Sequence, residues 1–334
     1  SVVIPFHNEQ LSTLLRTLTS VVKRSPSALL KEVILVDDCS TLDCSREELE
    51  KALWQWGGLV RVVRTTQREG STKARVIGAS YATQDVISYL DSHVEVNQRW
   101  LEPIVSHINT NNKAIVMSTL DTITTEKFEL QGAGWGFHGG FNWNLEFYWK
   151  GLPDRILNKL QRTYDPVPSP IMPAGAFALH REFYMWLGLL DPDMKIWGVD
   201  DVEFSFRAWQ CGASVEIHPC SHVGHIFRPH IPYTFGNDTS QRVVFHNSVR
   251  TAEVVLEHYK KFFYAQANHH KVDVNMTSLR ARRQLKSDNN CHDFSWFMQN
   301  VIPEMPLPPQ DAVHYEHIMP KETKDNCIDV DQTD

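Results

Sequence analysis

Four short apolar runs, at residues 1–6, 32–36, 59–63 and 86–90, alternate with stretches of helical periodicity, and no other feature constrains the fold as tightly. Leucines and valines recur at helical spacing over residues 10–23, and a second helical stretch covers 71–82. Strands alternating with helices predict an α/β fold with a Rossmann-like, mostly parallel sheet flanked by helices on both faces. Ligands of such sheets bind beyond the carboxyl ends of the strands. The residues there are His7-Asn8-Glu9, Asp37-Asp38, the segment 64–70 and Asp91-Ser92-His93. Acidic residues in these places also cap helices, and for Asp37 or Asp38 both readings stand.

With 334 residues, 42% hydrophobic and 22% charged, the chain can bury a substantial core. A net charge of -7 and scattered Lys and Arg leave no basic stripe, which argues against nucleic acid as a partner. No run of about 18 apolar residues exists to span a bilayer. A strand beginning at Ser1 leads us to expect an upstream signal or membrane anchor that this chain lacks. The cysteines are not spaced as CxxC pairs, and Asn237-Asp238-Thr239 and Asn275-Met276-Thr277 are glycosylation sequons, which together lean towards an oxidising lumen.

From about residue 100 the pattern becomes mixed. Short strands are expected at 114–119 and 215–217, an aromatic, glycine-rich stretch covers 132–149, and a helix is expected over 250–264. The last 70 residues read as polar and irregular, with Pro303 and Pro306 marking a loose tail.

Three segments can carry chemistry. Asp91 and His93 end an apolar strand two residues apart, so both side chains point the same way and one divalent cation, such as manganese, can meet both. A strand-end cap beside a surface histidine is the plainer reading of the same pair. His222 and His225 precede Arg228 and Tyr233; His225 can complete a metal site, and an arginine fork matches phosphate oxygens. Trp197-Gly198 precedes Asp200, Asp201 and Glu203 at a helix start, where the carboxylates either cap the helix or accept hydrogen bonds from sugar hydroxyls.

These pieces resemble, in order and spacing, the motifs of the polypeptide N-acetylgalactosaminyltransferases. The resemblance rests on His7-Asn8-Glu9, Val36-Asp37-Asp38, Arg68-Glu69-Gly70, Asp91-Ser92-His93, Gly140-Phe141-Asn142-Trp143, Trp209-Gln210-Cys211-Gly212 and His222-Val223-Gly224-His225-Ile226-Phe227-Arg228, and covers roughly residues 1–300. It implies a glycosyltransferase-A fold and retaining transfer of GalNAc from UDP-GalNAc to Ser or Thr of a polypeptide. It also implies Mn2+ on Asp91, His93 and His225, with His7, Asp38, Arg68 and Ser92 at the nucleotide and Arg228 and Tyr233 at the phosphates. Ala174 and Gly175 would lie at the sugar, Trp143 and Phe227 along the peptide groove, and Trp197 in a loop closing over the donor. Trp197, Asp200, Asp201 and Arg228 would be the catalytic set. The resemblance pairs Cys211 with Cys291, places the usual partner of Cys220 upstream of residue 1, and leaves Cys39, Cys44 and Cys327 unassigned. It implies a UDP- and metal-binding half (1–105), a sugar- and acceptor-binding half (106–265) and a C-terminal extension (266–334) without the family's lectin domain. The expected setting is the Golgi lumen, with the membrane reached only through the absent anchor.

The chain departs from the family's pattern most heavily at one loop. The usual Trp-Gly-Gly-Glu-Asn reads Trp197-Gly198-Val199-Asp200-Asp201, which shortens one carboxylate, replaces an amide with an acceptor only, and sets a β-branched residue where positive φ is expensive. The small-residue stretch likewise reads Met172-Pro173-Ala174-Gly175, and Ser71-Thr72-Lys73 follow the Arg68 motif. A catalytically weak or inactive member that binds UDP or a client protein is the alternative these changes raise.

Overall fold

The computed structural model describes residues 1–41, 46–228, 233–266 and 272–307. Cys44 and Cys327 lie outside them. The first half runs β1 (Val2–Phe6), α1 (Leu11–Arg24), β2 (Val33–Asp37), α2 (Arg46–Leu53), β3 (Val60–Arg64), α3 (Ser71–Tyr81), β4 (Val86–Leu90), β5 (Val94–Val96) and α4 (Leu101–Thr110). There follow β6 (Ala114–Ile123), β7 (Leu130–Gln131), β8 (Phe137–Phe141), β9 (Phe147–Gly151), α5 (Asp154–Leu157), β10 (Val167–Pro168), β11 (Ala176–His180) and α6 (Arg181–Trp186). The chain closes with α7 (Asp200–Gln210), β12 (Ser214–His225), α8 (Ser240–Val255), α9 (Lys260–Gln266), α10 (Met276–Asp288) and α11 (Phe294–Asn300).

One sheet carries the strand order β10-β12-β6-β11-β4-β1-β2-β3. The pairs among β1, β2, β3 and β4 are parallel, as are β6 and β12, whereas β11 runs antiparallel to both β4 and β6. The all-buried patterns of β1 and β2 follow from helices covering both faces. On one face Leu14, Leu18 and Val21 of α1 and Ile104 and Ile108 of α4 pack on Ile4, Leu35 and Val116. On the other, Ala74 and Ala79 of α3 and Phe204 and Ala208 of α7 pack on Val3, Ile34 and Phe177. Gly78 is what lets α3 sit so close: a Cβ there would stand 2.3 Å from Val3 Cγ1.

The structure lengthens and corrects the sequence reading beyond residue 100. The short strands expected at 114–119 and 215–217 are the first parts of two long ones, and β12 shifts register between His218 and His222. The helix expected over 250–264 is broken: α8 ends at Val255, Glu257 takes φ 51°, and α9 starts afresh at Lys260. The expected irregular tail instead holds two helices. Phe294 and Phe297 of α11 are fully buried against Phe141 and Phe206, and a disulfide joins Cys211, after α7, to Cys291, before α11. Sparse aromatics in a polar sequence concealed this anchoring. Among the described residues no helix is long and apolar enough to cross a membrane.

Gly78→Ala forces α3 off β1 and is expected to lower stability by about 1–3 kcal/mol in denaturant unfolding. An unchanged midpoint would mean that α3 shifts without cost.

Candidate active site

A cleft of about 700 Å³ opens at the carboxyl ends of β1, β2 and β4, as the sheet type requires. His7, Asp38, Arg68, Asp91, Ser92, His93, Ala174, Gly175, Trp197, Asp200, Asp201, His225, Phe227, Arg228 and Tyr233 all line it. Trp143 does not. Its ring is 6% exposed, stacked on Tyr259 and 4.8 Å from the Phe262 ring, so it sits beside the cleft in aromatic packing.

Asp91, His93 and His225 bring one potential ligand atom each within 4.8 Å of one another. Asp91 follows the end of β4, β5 begins just after His93, and β12 delivers His225 antiparallel to β5. Gly175 makes room for this convergence, since a Cβ there would stand 3.2 Å from His225 Cδ2 and 3.5 Å from Asp91 Oδ2. One oxygen and two imidazoles suit a divalent cation that accepts mixed ligands, and the buried Nδ1 of His225 has no hydrogen-bond partner among the described residues. Burial raises the Asp91 carboxyl, but the hydrogen bond with His225 and the Arg75 guanidinium outweigh it and hold the group well below the carboxylate range. The Asp91 carboxylate is therefore ionised, and the three residues fit a divalent cation.

Glu9 organises the surroundings of that cluster. Its buried carboxylate accepts from Ser92 Oγ at 2.9 Å, meets His93 Nδ1 at 3.2 Å and accepts from Arg228 Nη2 at 2.5 Å. A carboxylate on the far nitrogen of a ligating histidine fixes its tautomer and orientation. The same carboxylate holds Arg228 beside the cluster. The sequence reading left Glu9 out of the site, although it stands in the His7-Asn8-Glu9 segment at a strand end.

Asp38 is spent on the loop after β3. Its carboxylate accepts from the backbone N–H groups of Glu69 at 2.7 Å and Gly70 at 2.8 Å, and it pairs with Arg68. Arg68 in turn lies 5.1 Å from the Tyr233 ring centre. His7 donates from Nδ1 to the Asp38 carbonyl at 2.7 Å and meets the Tyr233 ring edge-on. Burial, then the Arg68 charge, lowers His7 to about 4, so the imidazole is neutral at neutral pH. Burial pushes the Tyr233 phenol up to about 12.

Arg75, on α3, is the second residue sequence reasoning missed. Fully enclosed, it donates to Asp200 at 2.7 Å, to Asp91 at 3.0 Å and to the Ala174 carbonyl at 3.3 Å. Nothing marks an arginine in the interior of a helix as a site residue until the fold sets two carboxylates against it. The loop before α7 is held equally firmly: the fully buried Asn247 of α8 donates to the carbonyls of Lys195, Trp197 and Gly198 and accepts from the Lys195 N–H. Val199 takes φ 69°, the left-handed conformation that the sequence comparison flagged as costly for a β-branched residue. Burial and the neighbouring Asp200 raise the Asp201 carboxyl.

Comparison with known proteins places this geometry. Residues 1–185 match the model described as Glycosyl transferase family 2. The chain belongs to that family. It is 41% identical over 310 residues to polypeptide N-acetylgalactosaminyltransferase 5 of Caenorhabditis elegans, a match covering 92% of the chain and 49% of that protein. Polypeptide N-acetylgalactosaminyltransferase 6 of Mus musculus is 41% identical over 337 residues, 99% of the chain and 54% of the relative. The chain spans about half the length of the curated relatives it matches. Among solved structures, GalNAc-T7 crystallised with UDP, GalNAc and Mn2+ aligns with a TM-score of 0.84 at 34% identity over 95% of the chain and 59% of that protein. A glycosyltransferase-A fold follows.

Glu9→Gln keeps the shape but removes the charge facing His93, and is expected to weaken Mn2+ binding by about tenfold in titration calorimetry. His7 supplies a pH signature. Its folded value lies below its unfolded 6.5, so the unfolded chain takes the proton first, and the stability present above pH 6.5 is lost as pH falls towards about 4. The melting temperature should drop less steeply across that window in His7→Gln than in wild type; equal slopes would place the titration elsewhere.

Proposed function

We propose that the chain transfers GalNAc from UDP-GalNAc to Ser or Thr hydroxyls of polypeptides, with retention of configuration and with Mn2+ held by Asp91, His93 and His225. The observation that carries this reading is the three-residue cluster at the end of β4, set in a cleft whose other walls present Arg68, Arg228 and Tyr233. Likeness to polypeptide N-acetylgalactosaminyltransferases over nearly the whole chain supports the choice of sugar and acceptor.

When bound, the ion supplies positive charge to the departing diphosphate. Arg228 is already aimed beside it by Glu9 and adds a fork of donors suited to phosphate oxygens. His7, neutral and wedged against Tyr233, shapes the nucleotide end without adding charge. Asp200, fixed by Arg75, and Asp201, at the first turn of α7, face the space where a sugar would lie. No protein nucleophile is required when leaving-group stabilisation carries the reaction. The Cys211–Cys291 disulfide supports a luminal, oxidising setting such as the Golgi.

A catalytically weak relative is the second reading, and the Val199-Asp200-Asp201 loop favours it. Asp200 is committed to Arg75 at 2.7 Å, and Val199 holds a strained conformation.

Release of UDP from UDP-GalNAc with Mn2+, with and without a Ser/Thr-rich peptide, separates the two. Peptide-dependent release that Asp91→Ala and chelation both abolish establishes the transferase, whereas tight UDP and Mn2+ binding without release establishes the second reading. Val199→Gly relieves the left-handed strain and is expected to raise stability by about 1–2 kcal/mol in thermal unfolding. A loss of stability would show that the valine side chain contributes more packing than its backbone costs.

A further inference from the structure

Of the two sequons, Asn237-Asp238-Thr239 stands where a modification would bear on the cleft. It lies in a turn closed by a hydrogen bond from Asp238 N–H to the Phe235 carbonyl, with Gly236 at φ 70°. Asn237 is exposed, and its carboxamide hydrogen-bonds to no described residue. The turn sits between Tyr233, on the cleft wall, and Thr239, whose side chain caps α8. Beside it a recess of about 480 Å³ is bounded by Phe235, Ile196, Lys195, Asp238 and Arg242. Ile196 and Lys195 belong to the loop carrying Trp197, and Asp238 pairs with Arg242 at 3.3 Å and Lys195 at 4.0 Å. Apolar Phe235 and Ile196 flanked by charged donors and an acceptor form a surface matched to a pyranose, which has an apolar face and a rim of hydroxyls.

We infer that Asn237 carries an N-linked glycan whose first sugar covers this recess and steadies the loop of residues 195–198 at the edge of the donor cleft. In the modification, the Asn237 Nδ2–C1 bond forms as the C1–O bond to a polyprenyl-diphosphate oligosaccharide breaks. Nδ2 gives up one proton and the polyprenyl diphosphate leaves. The inference rests on the luminal reading above, because that donor is used in the secretory pathway. Asn275 serves as the internal comparison: its Oδ1 caps α10 by accepting from Thr277 and Ser278 N–H, and Asn275 itself does not line the recess.

The chain is secreted from an animal cell line behind a cleavable signal, alongside Asn237→Gln and Asn275→Gln. Peptide mass spectrometry, with glycosidase conversion of Asn237 to Asp, reads occupancy directly and independently of turnover. Occupied Asn237 in wild type, and one glycan fewer in Asn237→Gln, are expected. Recovery of the Asn237 peptide unmodified from the folded, secreted chain overturns the assignment, whatever UDP release shows. For the recess, hydrogen exchange over residues 195–198 is expected to speed up roughly twofold to fivefold in Asn237→Gln and to stay unchanged in Asn275→Gln. An occupied Asn237 whose loss leaves that exchange unaltered overturns the contact with the loop.

Discussion

The buried guanidinium of Arg75 is the contact on which the cleft depends. It pairs with both Asp91, at the end of β4, and Asp200, at the start of α7, two carboxylates that the fold brings from residues more than a hundred positions apart. Removing one partner from such an arrangement leaves an uncompensated charge out of water, which costs far more than the pair itself contributes. The metal-ligand end of the cleft and its sugar-facing end therefore share one counter-charge. Their geometry is coupled, and a change in the loop before α7 is felt at Asp91.

That coupling works because each element bearing a cleft residue is anchored behind the site as well. Glu203, one turn into α7, makes a bidentate pair with the fully buried Arg207, whose remaining donors reach the carbonyls of Leu187 and Leu189. Arg250 of α8 holds Asp191 through two hydrogen bonds at 2.9 Å, and Asn247, one turn earlier on the same helix, grips the loop ahead of α7. Burial alone would discourage these charges; paired and hydrogen-bonded, they fix directions that apolar packing leaves loose. The result is a rigid floor under a loop containing Val199 in a left-handed conformation, the kind of local strain that a well-determined surrounding structure can sustain.

Much of the first hundred residues was legible in the sequence. The strands at 2–6, 33–37 and 86–90 announce themselves by short β-branched runs, and the rule that ligands gather at their carboxyl ends points to His7, Asp38 and Asp91. The later half was harder for identifiable reasons. β12 reads as a broken strand because a register shift at His218 to His222 interrupts its alternation. α11 reads as tail because its buried Phe294 and Phe297 are isolated aromatics in a polar context. Trp143 carried a motif, and its packing on Tyr259 rests on a residue more than a hundred positions later, which no local pattern announces.

By itself, the sequence determined the sheet type, the residues stationed at its strand ends and the Asp91-His93 pair, because strand periodicity and short spacing are local properties of the chain. Only the tertiary structure decided that His225 joins that pair, that Glu9 orients His93 and Arg228, and that Arg75 lies between Asp91 and Asp200. Those relations are set by strand order and helix packing, which bring side chains together across separations that no local pattern encodes.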